Sequence, residues 1–369
     1  MSALAAKHKA INLSQGFPNF EIDPELIHLV QSAMKSGHNQ YAPMPGHPAL
    51  RERISEKVAS DHSRTYHPDT EITITAGATQ GIYTAITALV HPGDEVIVFA
   101  PAYDCYEPAI SLQGAKSVVL QLEAPHYKVN WQAVREAISA KTRMILINTP
   151  HNPCGSVFSE RDMQTLEQLA QQHDLLVLSD EVYEHIVFDG KVHQSAARFP
   201  ELSKRSIITA SFGKTFHATG WKMGYCLAPE PIMKEFRKVH QYLVFSVNHP
   251  VQRAMAAYLE KPERYQKLGG FYQQKRDRFL NGLKGTEFKA IASTGTYFQL
   301  VDYSSVSNMH DVDFARQLTI DHGLASIPTS VFNLSGENHF MLRFCFAKTN
   351  DTLDEAAEIL KRVPIEIAQ

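Results

Sequence analysis

From about residue 71 to residue 228 the chain alternates short apolar or β-branched runs with longer amphipathic ones, and small residues or prolines separate them. The strand-like runs fall at 71–76, 95–100, 117–122, 144–148, 175–179, 206–210 and 225–228. Apolar positions spaced three and four apart predict helices at 82–90, 131–138, 160–171 and 230–241. Strands that alternate with helices make an α/β unit with a mostly parallel central sheet flanked by helices. Two amphipathic helices, 24–35 and 48–61, precede it, and long helical patterns at 252–259 and 263–283 lead out of it. Near the end, 340–347 alternates as a strand and 352–363 closes the chain as a helix. The expected division is a large domain over 36–261 and a smaller α+β domain over 262–369, which the segment 1–35 joins.

Composition narrows the partners. The 369 residues, 44% hydrophobic and 20% charged, suffice for about two cores. A net charge of −3, with no dense basic run, gives no electrostatic case for nucleic acid. No stretch is long and apolar enough to span a bilayer and residues 1–9 lack a signal-peptide core, so no membrane partner and a cytoplasmic setting are expected. Cys105, Cys154, Cys226 and Cys345 are too scattered for a zinc site or redox dithiol, and buried free thiols are expected. The 18 histidines include no His-Glu-x-x-His pattern, so no metal is expected.

The densest chemistry lies in Ser211-Phe212-Gly213-Lys214-Thr215-Phe216-His217-Ala218-Thr219-Gly220-Trp221-Lys222-Met223-Gly224. It follows the apolar run 206–210, which places Lys214 where a strand ends, the position at which α/β folds bind ligands. Burial disfavours an ammonium, and a neutral lysine amine condenses with carbonyls as a Schiff base. Lys222 would stay charged and hold an anion. Two solvated loop lysines would read the same way from this segment alone. Gly213-Lys214-Thr215 matches the tail of a nucleotide phosphate loop, but that loop needs a glycine where Ile208 stands.

Other segments each offer one candidate. Gly16 sits in a Gly-x-Pro turn, and Tyr41 is an aromatic in a Pro/Gly-rich loop between two helices. Gly77-Ala78-Thr79-Gln80-Gly81 opens a helix after a strand, a cradle of free N–H groups for phosphate. Tyr103 ends a strand as a packing aromatic or as a ring over a planar cofactor. Asn152 lies between two prolines that rule out helix, which frees its amide for a ligand. Asp180, followed by Tyr183, ends one of the most apolar strands and needs a cation, several donors or a helix N-terminus to cap. Arg343 lies on the Met341/Cys345 face of its strand, either at a surface edge or as a fork for a carboxylate.

In order and spacing these motifs resemble the class I and II, fold-type-I pyridoxal-phosphate aminotransferases over nearly the whole chain. The pattern small-x-small-Lys followed by Gly-x-Arg-x-Gly is met with Lys222 in the arginine's place and His217 where a small residue is usual. Asn12-Leu13-Ser14-Gln15-Gly16-Phe17-Pro18-Asn19-Phe20, Asp104-Cys105-Tyr106-Glu107-Pro108 and 214–222 are similar to the kynurenine/glutamine/methionine branch, which also carries Lys at that position. The resemblance implies pyridoxal 5'-phosphate attached to Lys214, with Asp180 on the ring nitrogen. It implies Asn152 and Tyr183 on the ring's phenolic oxygen and Tyr103 on the ring face. Ala78, Thr79, Ser211 and Lys222 would bind the phosphate, with Tyr41 reaching it from the other subunit of a homodimer. The substrate would be bound by Arg343, Asn152 and the backbone of Gly16, with its carboxylate on Arg343 and Gly16. An amino acid would donate its α-amino group and a 2-oxo acid would collect it in a ping-pong cycle. C–S β-lyases share the same fold and key residues, and an effector-binding module on it is a third possibility. Phe17 and the lack of a second identifiable arginine favour methionine and aromatic amino acids over aspartate.

Overall fold

The computed structural model describes residues 1–333 and 335–367, so the last two residues of the expected 262–369 domain lie outside it. The strands in chain order are β1 (Ile11–Asn12), β2 (Ile72–Thr75), β3 (Glu95–Ala100), β4 (Lys116–Gln121), β5 (Thr142–Asn148) and β6 (Leu176–Asp180). They continue with β7 (Ser206–Ser211), β8 (Gly224–Leu227), β9 (Phe298–Asp302), β10 (Leu324–Ala325), β11 (Ile327–Pro328) and β12 (Met341–Cys345). Seven form the central sheet in the order β2-β8-β7-β6-β5-β3-β4. Its five strands from β7 to β4 run parallel, as the alternation of strand and helix requires, whereas β8 is antiparallel to both β7 and β2. The antiparallel turn has a simple cause: no crossover helix separates β7 from β8, and the short 211–224 segment folds straight back.

The strands β3, β5, β6 and β7 are buried almost throughout because helices cover both faces. One large core underlies this sheet and continues into the three-stranded sheet β11-β12-β9, and a second packs helices Ala78–Leu89 and Glu230–Leu243 against the opposite face. β12 is the middle strand of its sheet, so Arg343 is not on a surface edge. The N-terminal segment pairs through β1 with β10, which joins the two chain ends.

Two expectations need correction. The helix predicted from 82 begins at Ala78, with Gly77 as its N-cap at φ 80°, so the small residues that read as a turn already form the first helical turn. The single helix expected over 263–283 divides into Glu263–Gln266 and Leu268–Gly282. At this break Gly269 passes so close to the backbone of Val187 that a Cβ would stand 2.8 Å from its carbonyl oxygen. The N-terminal helix Ser2–His8, the helix Asp311–Ile320 and the strand β9 carry no expectation in the pattern read above.

Candidate active site

Strand ends converge on one cavity of about 200 Å³. β7 delivers Ser211 and then Lys214, within the four-residue helix Phe212–Thr215. Three local features fix the lysine. Phe212 donates its N–H to the Met223 carbonyl at 3.0 Å, Thr215 Oγ1 donates to the Ser211 carbonyl at 3.2 Å, and the buried Phe212 and Phe216 rings stack at 6.0 Å. The segment doubles back so tightly that a Cβ on Gly213 would lie 3.1 Å from Thr219 Cα. Lys214 Nζ is left 3.4 Å from the Gly16 carbonyl, which also accepts from Tyr297 Oη at 2.6 Å. Burial lowers Lys214 to about 8, and the positive charges of Lys222 and Arg343 add to this against the opposing influence of Cys345 and Asp180.

β6 ends at Asp180, in register with Asn148 of β5. Asn148 Nδ2 donates to the Asp180 carbonyl at 2.9 Å, and its Oδ1 accepts the Asn152 N–H at 2.7 Å, which sets the loop between the prolines. Asp180 is buried and raised to about 6, chiefly by that burial, against two hydrogen bonds that favour the carboxylate. These come from Tyr106 Oη to Oδ2 at 2.5 Å and from the Val182 N–H to Oδ1 at 3.3 Å. The turn after Asp180 has two faces. Val182 and Tyr183 line the cavity, while Glu181 and Glu184 point into the protein. Glu181 binds Ser179 Oγ at 2.7 Å, the Ala196 N–H at 2.9 Å and His193 Nε2 at 2.8 Å. Glu184 accepts from Lys57 Nζ at 2.8 Å and Tyr225 Oη at 2.9 Å.

Arg343 completes the cavity from β12. One terminal amine donates to Asn152 Oδ1 at 2.7 Å and the other to the Ser14 carbonyl at 3.1 Å, while Nε has no partner among the described residues. Its guanidinium lies 4.0 Å from the Phe298 ring centre and 4.9 Å from that of Phe332. Opposite, Ala78 and Thr79 begin a helix whose N-terminus no side chain caps, so its first N–H groups are open to an anion. Gly224 makes this end accessible: a Cβ there would meet the Ala210 oxygen at 2.7 Å and the Ala78 nitrogen at 3.1 Å. Lys222, in the left-handed region at φ 52°, turns its amine toward Gly77, and Thr79 Oγ1 lies 3.5 Å from Tyr103 Oη.

Of the candidates from sequence, Gly16, Ala78, Thr79, Tyr103, Asn152, Asp180, Tyr183, Ser211, Lys214, Lys222 and Arg343 line this one cavity. Tyr41 stands apart, 80% exposed, its ring edge-on to Phe245 at 5.4 Å. Asn148 and Tyr106 had no role assigned from sequence; each could be found only by knowing which strand ends meet. His217 lies outside the cavity lining, among Phe20, Phe271 and Tyr272, and burial lowers it to about 4. Cys154, Cys226 and Cys345 are buried free thiols as expected, but Cys105 is only half-buried.

The donor set fits pyridoxal phosphate: a lysine of lowered basicity, a buried carboxylate facing the same space, and an uncapped helix end beside Ser211 and Lys222. The profile of the aminotransferase class I and II family matches residues 8–360. Methionine aminotransferase of Escherichia coli is 49% identical over 364 residues, covering 98% of this chain and 94% of that protein. A kynurenine–oxoglutarate transaminase of Dictyostelium discoideum is 34% identical, with 98% and 92% covered. The crystal structure of an E. coli protein with methionine aminotransferase function superimposes with a TM-score of 0.96 at 49% identity, covering 98% of this chain and 96% of that one. N-succinyldiaminopimelate aminotransferase of Mycobacterium tuberculosis does so with a TM-score of 0.94 at 35% identity, covering 98% and 96%. With its fold and nearly its full length matched, the chain belongs to the class I and II aminotransferases, enzymes that depend on pyridoxal 5'-phosphate and transfer an amino group from an amino acid to a 2-oxo acid.

Proposed function

We propose that this aminotransferase takes its amino group from methionine and other large neutral amino acids, aromatic ones included, at the cavity around Lys214. One observation carries the site assignment. Lys214, Asp180 and Arg343 are all buried or nearly so, face one space, and have no ion-pair partner of opposite charge among the described residues. Buried charges are ordinarily paired, so three without partners await ligand groups that complete them. Bound there, pyridoxal phosphate supplies an aldehyde that condenses with amines and a ring that accepts the electrons left when the substrate Cα loses its proton.

Each residue then has a defined task. Lys214 would hold the cofactor through Nζ, and the same amine would be the base for the Cα proton; burial, which lowers its basicity to about 8, favours the neutral amine that both tasks need. Asp180 would face the ring nitrogen as a carboxylate and favour its protonated form. Asn152 and Tyr183 would hold the phenolic oxygen, and Tyr103 would cover the ring face. The N–H groups of Ala78 and Thr79, with Ser211 and Lys222, hold the phosphate. Arg343, now bonded to Asn152 and the Ser14 carbonyl, turns its fork to the α-carboxylate beside Gly16. Tyr41 reaches the phosphate of a second copy of the chain. The exposed Tyr41, Tyr242 and Phe245 support a homodimer that buries this aromatic surface. The two domains are proposed at 36–261 and at 262–369 with 1–35, in a cytoplasmic enzyme.

The preference for a neutral side chain rests on what surrounds Arg343. Phe298 and Phe332 flank it, and no second arginine lines the cavity among the described residues to receive a side-chain carboxylate. Half-reaction absorbance with single amino acids tests this. Methionine should convert the cofactor to its amine form and release its 2-oxo acid, at a kcat/KM at least tenfold above that of aspartate. Preference for aspartate would contradict the substrate reading. Pyruvate and ammonia from cystathionine, faster than transamination, would identify a lyase.

A further inference from the structure

Asp180 is held from an unexpected side. Its Oδ2 accepts the Tyr106 hydroxyl at 2.5 Å, while its other hydrogen bond, from the Val182 N–H, is longer at 3.3 Å. Tyr106 begins the short helix Tyr106–Ser111 after β3, two places from β6 in the sheet, and its ring is packed into the core beneath helix Ala78–Leu89. The hydroxyl makes no other hydrogen bond among the described residues. Burial and the adjacent carboxylate both push Tyr106 well above an ordinary phenol, so it keeps its proton and is the donor in this pair. The other titratable groups around Asp180 are Lys214, Glu181, Tyr183, Tyr103, Cys105 and Cys226. Glu181 is engaged by His193 and Ser179, and Tyr103 Oη faces Thr79. This leaves Tyr106 as the one side chain that donates a hydrogen bond to the Asp180 carboxylate among the described residues.

We propose that Tyr106 is a positioning residue for Asp180: its hydroxyl fixes the orientation of the carboxylate and favours its ionised form, so that Asp180 meets the cofactor ring nitrogen as an anion. The argument rests on the assignment of Asp180 to that nitrogen. A donor to the charged form stabilises it, and without that donor a carboxylate in this buried place takes up a proton at higher pH. Tyr106 therefore widens, on the acid side, the pH range over which the cofactor is gripped.

The test is a double-mutant cycle on the full-length holoenzyme, with cofactor dissociation measured by equilibrium dialysis at pH 6 and pH 8. Tyr106→Phe keeps the packed ring and removes only the hydroxyl. It should weaken cofactor binding about tenfold at pH 6 and less at pH 8, while the apoprotein keeps the circular dichroism spectrum of the folded parent. In the Asp180→Asn background the same change should add no further loss, because an amide has no anionic form to stabilise. An equal loss in both backgrounds, or a loss independent of pH, would overturn the proposal and leave Tyr106 a packing residue. If Asp180→Asn alone leaves affinity intact, the assignment of Asp180 fails instead, so the two failures are distinct.

Discussion

Lys214 and Asp180 are displaced by one cause, burial, in opposite directions: the amine falls to about 8 and the carboxyl rises to about 6. Both shifts oppose the charged form, so in the apoprotein both groups work against folding at neutral pH. The signs follow from proton counts. Lys214 in the fold binds fewer protons than in the unfolded chain between pH 8 and its ordinary 10.5, so its unfavourable effect is complete below 8 and fades as pH rises through that window. Asp180 in the fold holds its proton between 3.8 and 6, so its effect is absent below 3.8 and complete above 6. Asp180→Asn should therefore stabilise the apoprotein by about 2 kcal/mol at pH 7, in denaturant unfolding, and by nothing at pH 4, while it weakens cofactor binding. Equal stability of the two apoproteins at pH 7 would mean that burial does not strain this carboxylate. Asp180 and Lys214 were legible in the sequence because each ends an apolar strand. Tyr106 and Asn148 were not, because their tasks depend on β3, β5 and β6 meeting side by side, which hydrophobic periodicity does not encode.

The turn from Asp180 to Glu184 turns alternate demands into one geometry. Asp180 and Tyr183 face the cavity, and Glu181 and Glu184 anchor them from behind. Burial alone would raise Glu184, but Lys57, His185 and His62 beside it together more than reverse that and hold the carboxyl well below the usual range. The pair is stabilising above the ordinary carboxyl range and is lost as pH falls through the depressed value. Removing the lysine strands a buried anion, so Lys57→Met should destabilise the protein by about 3–5 kcal/mol at neutral pH. Lys57→Met paired with Glu184→Gln should recover most of that, and failure to do so in thermal unfolding would argue against the pairing as the anchor. Sequence pattern placed the strands 95–100 and 206–210 to within a residue because uninterrupted apolar runs leave little choice. It missed the antiparallel β8 and the start of the helix at Ala78, where glycines and small residues permit both a turn and a helix and tertiary contacts decide.

At the level of the whole molecule, the cavity draws on the sheet, on β12 and on the N-terminal turn at Gly16, whereas Tyr41 is turned outward, 80% exposed. The dimer reading predicts that mixing inactive Lys214→Ala subunits with weakened Tyr41→Phe subunits restores part of the activity, since a hybrid dimer contains one site with both residues intact. No recovery after demonstrated subunit exchange would mean that one chain builds each site. The family and the cofactor were legible from motifs spread over nearly the full length, and their convergence explains why: residues far apart in sequence are strand ends and loops that meet at one cavity. The account depends above all on Lys214. Borohydride reduction of the yellow holoenzyme, followed by proteolysis and mass spectrometry, should place pyridoxal phosphate on the peptide that contains Lys214 and abolish label in Lys214→Ala. Label on another lysine, with activity retained by Lys214→Ala, would contradict it.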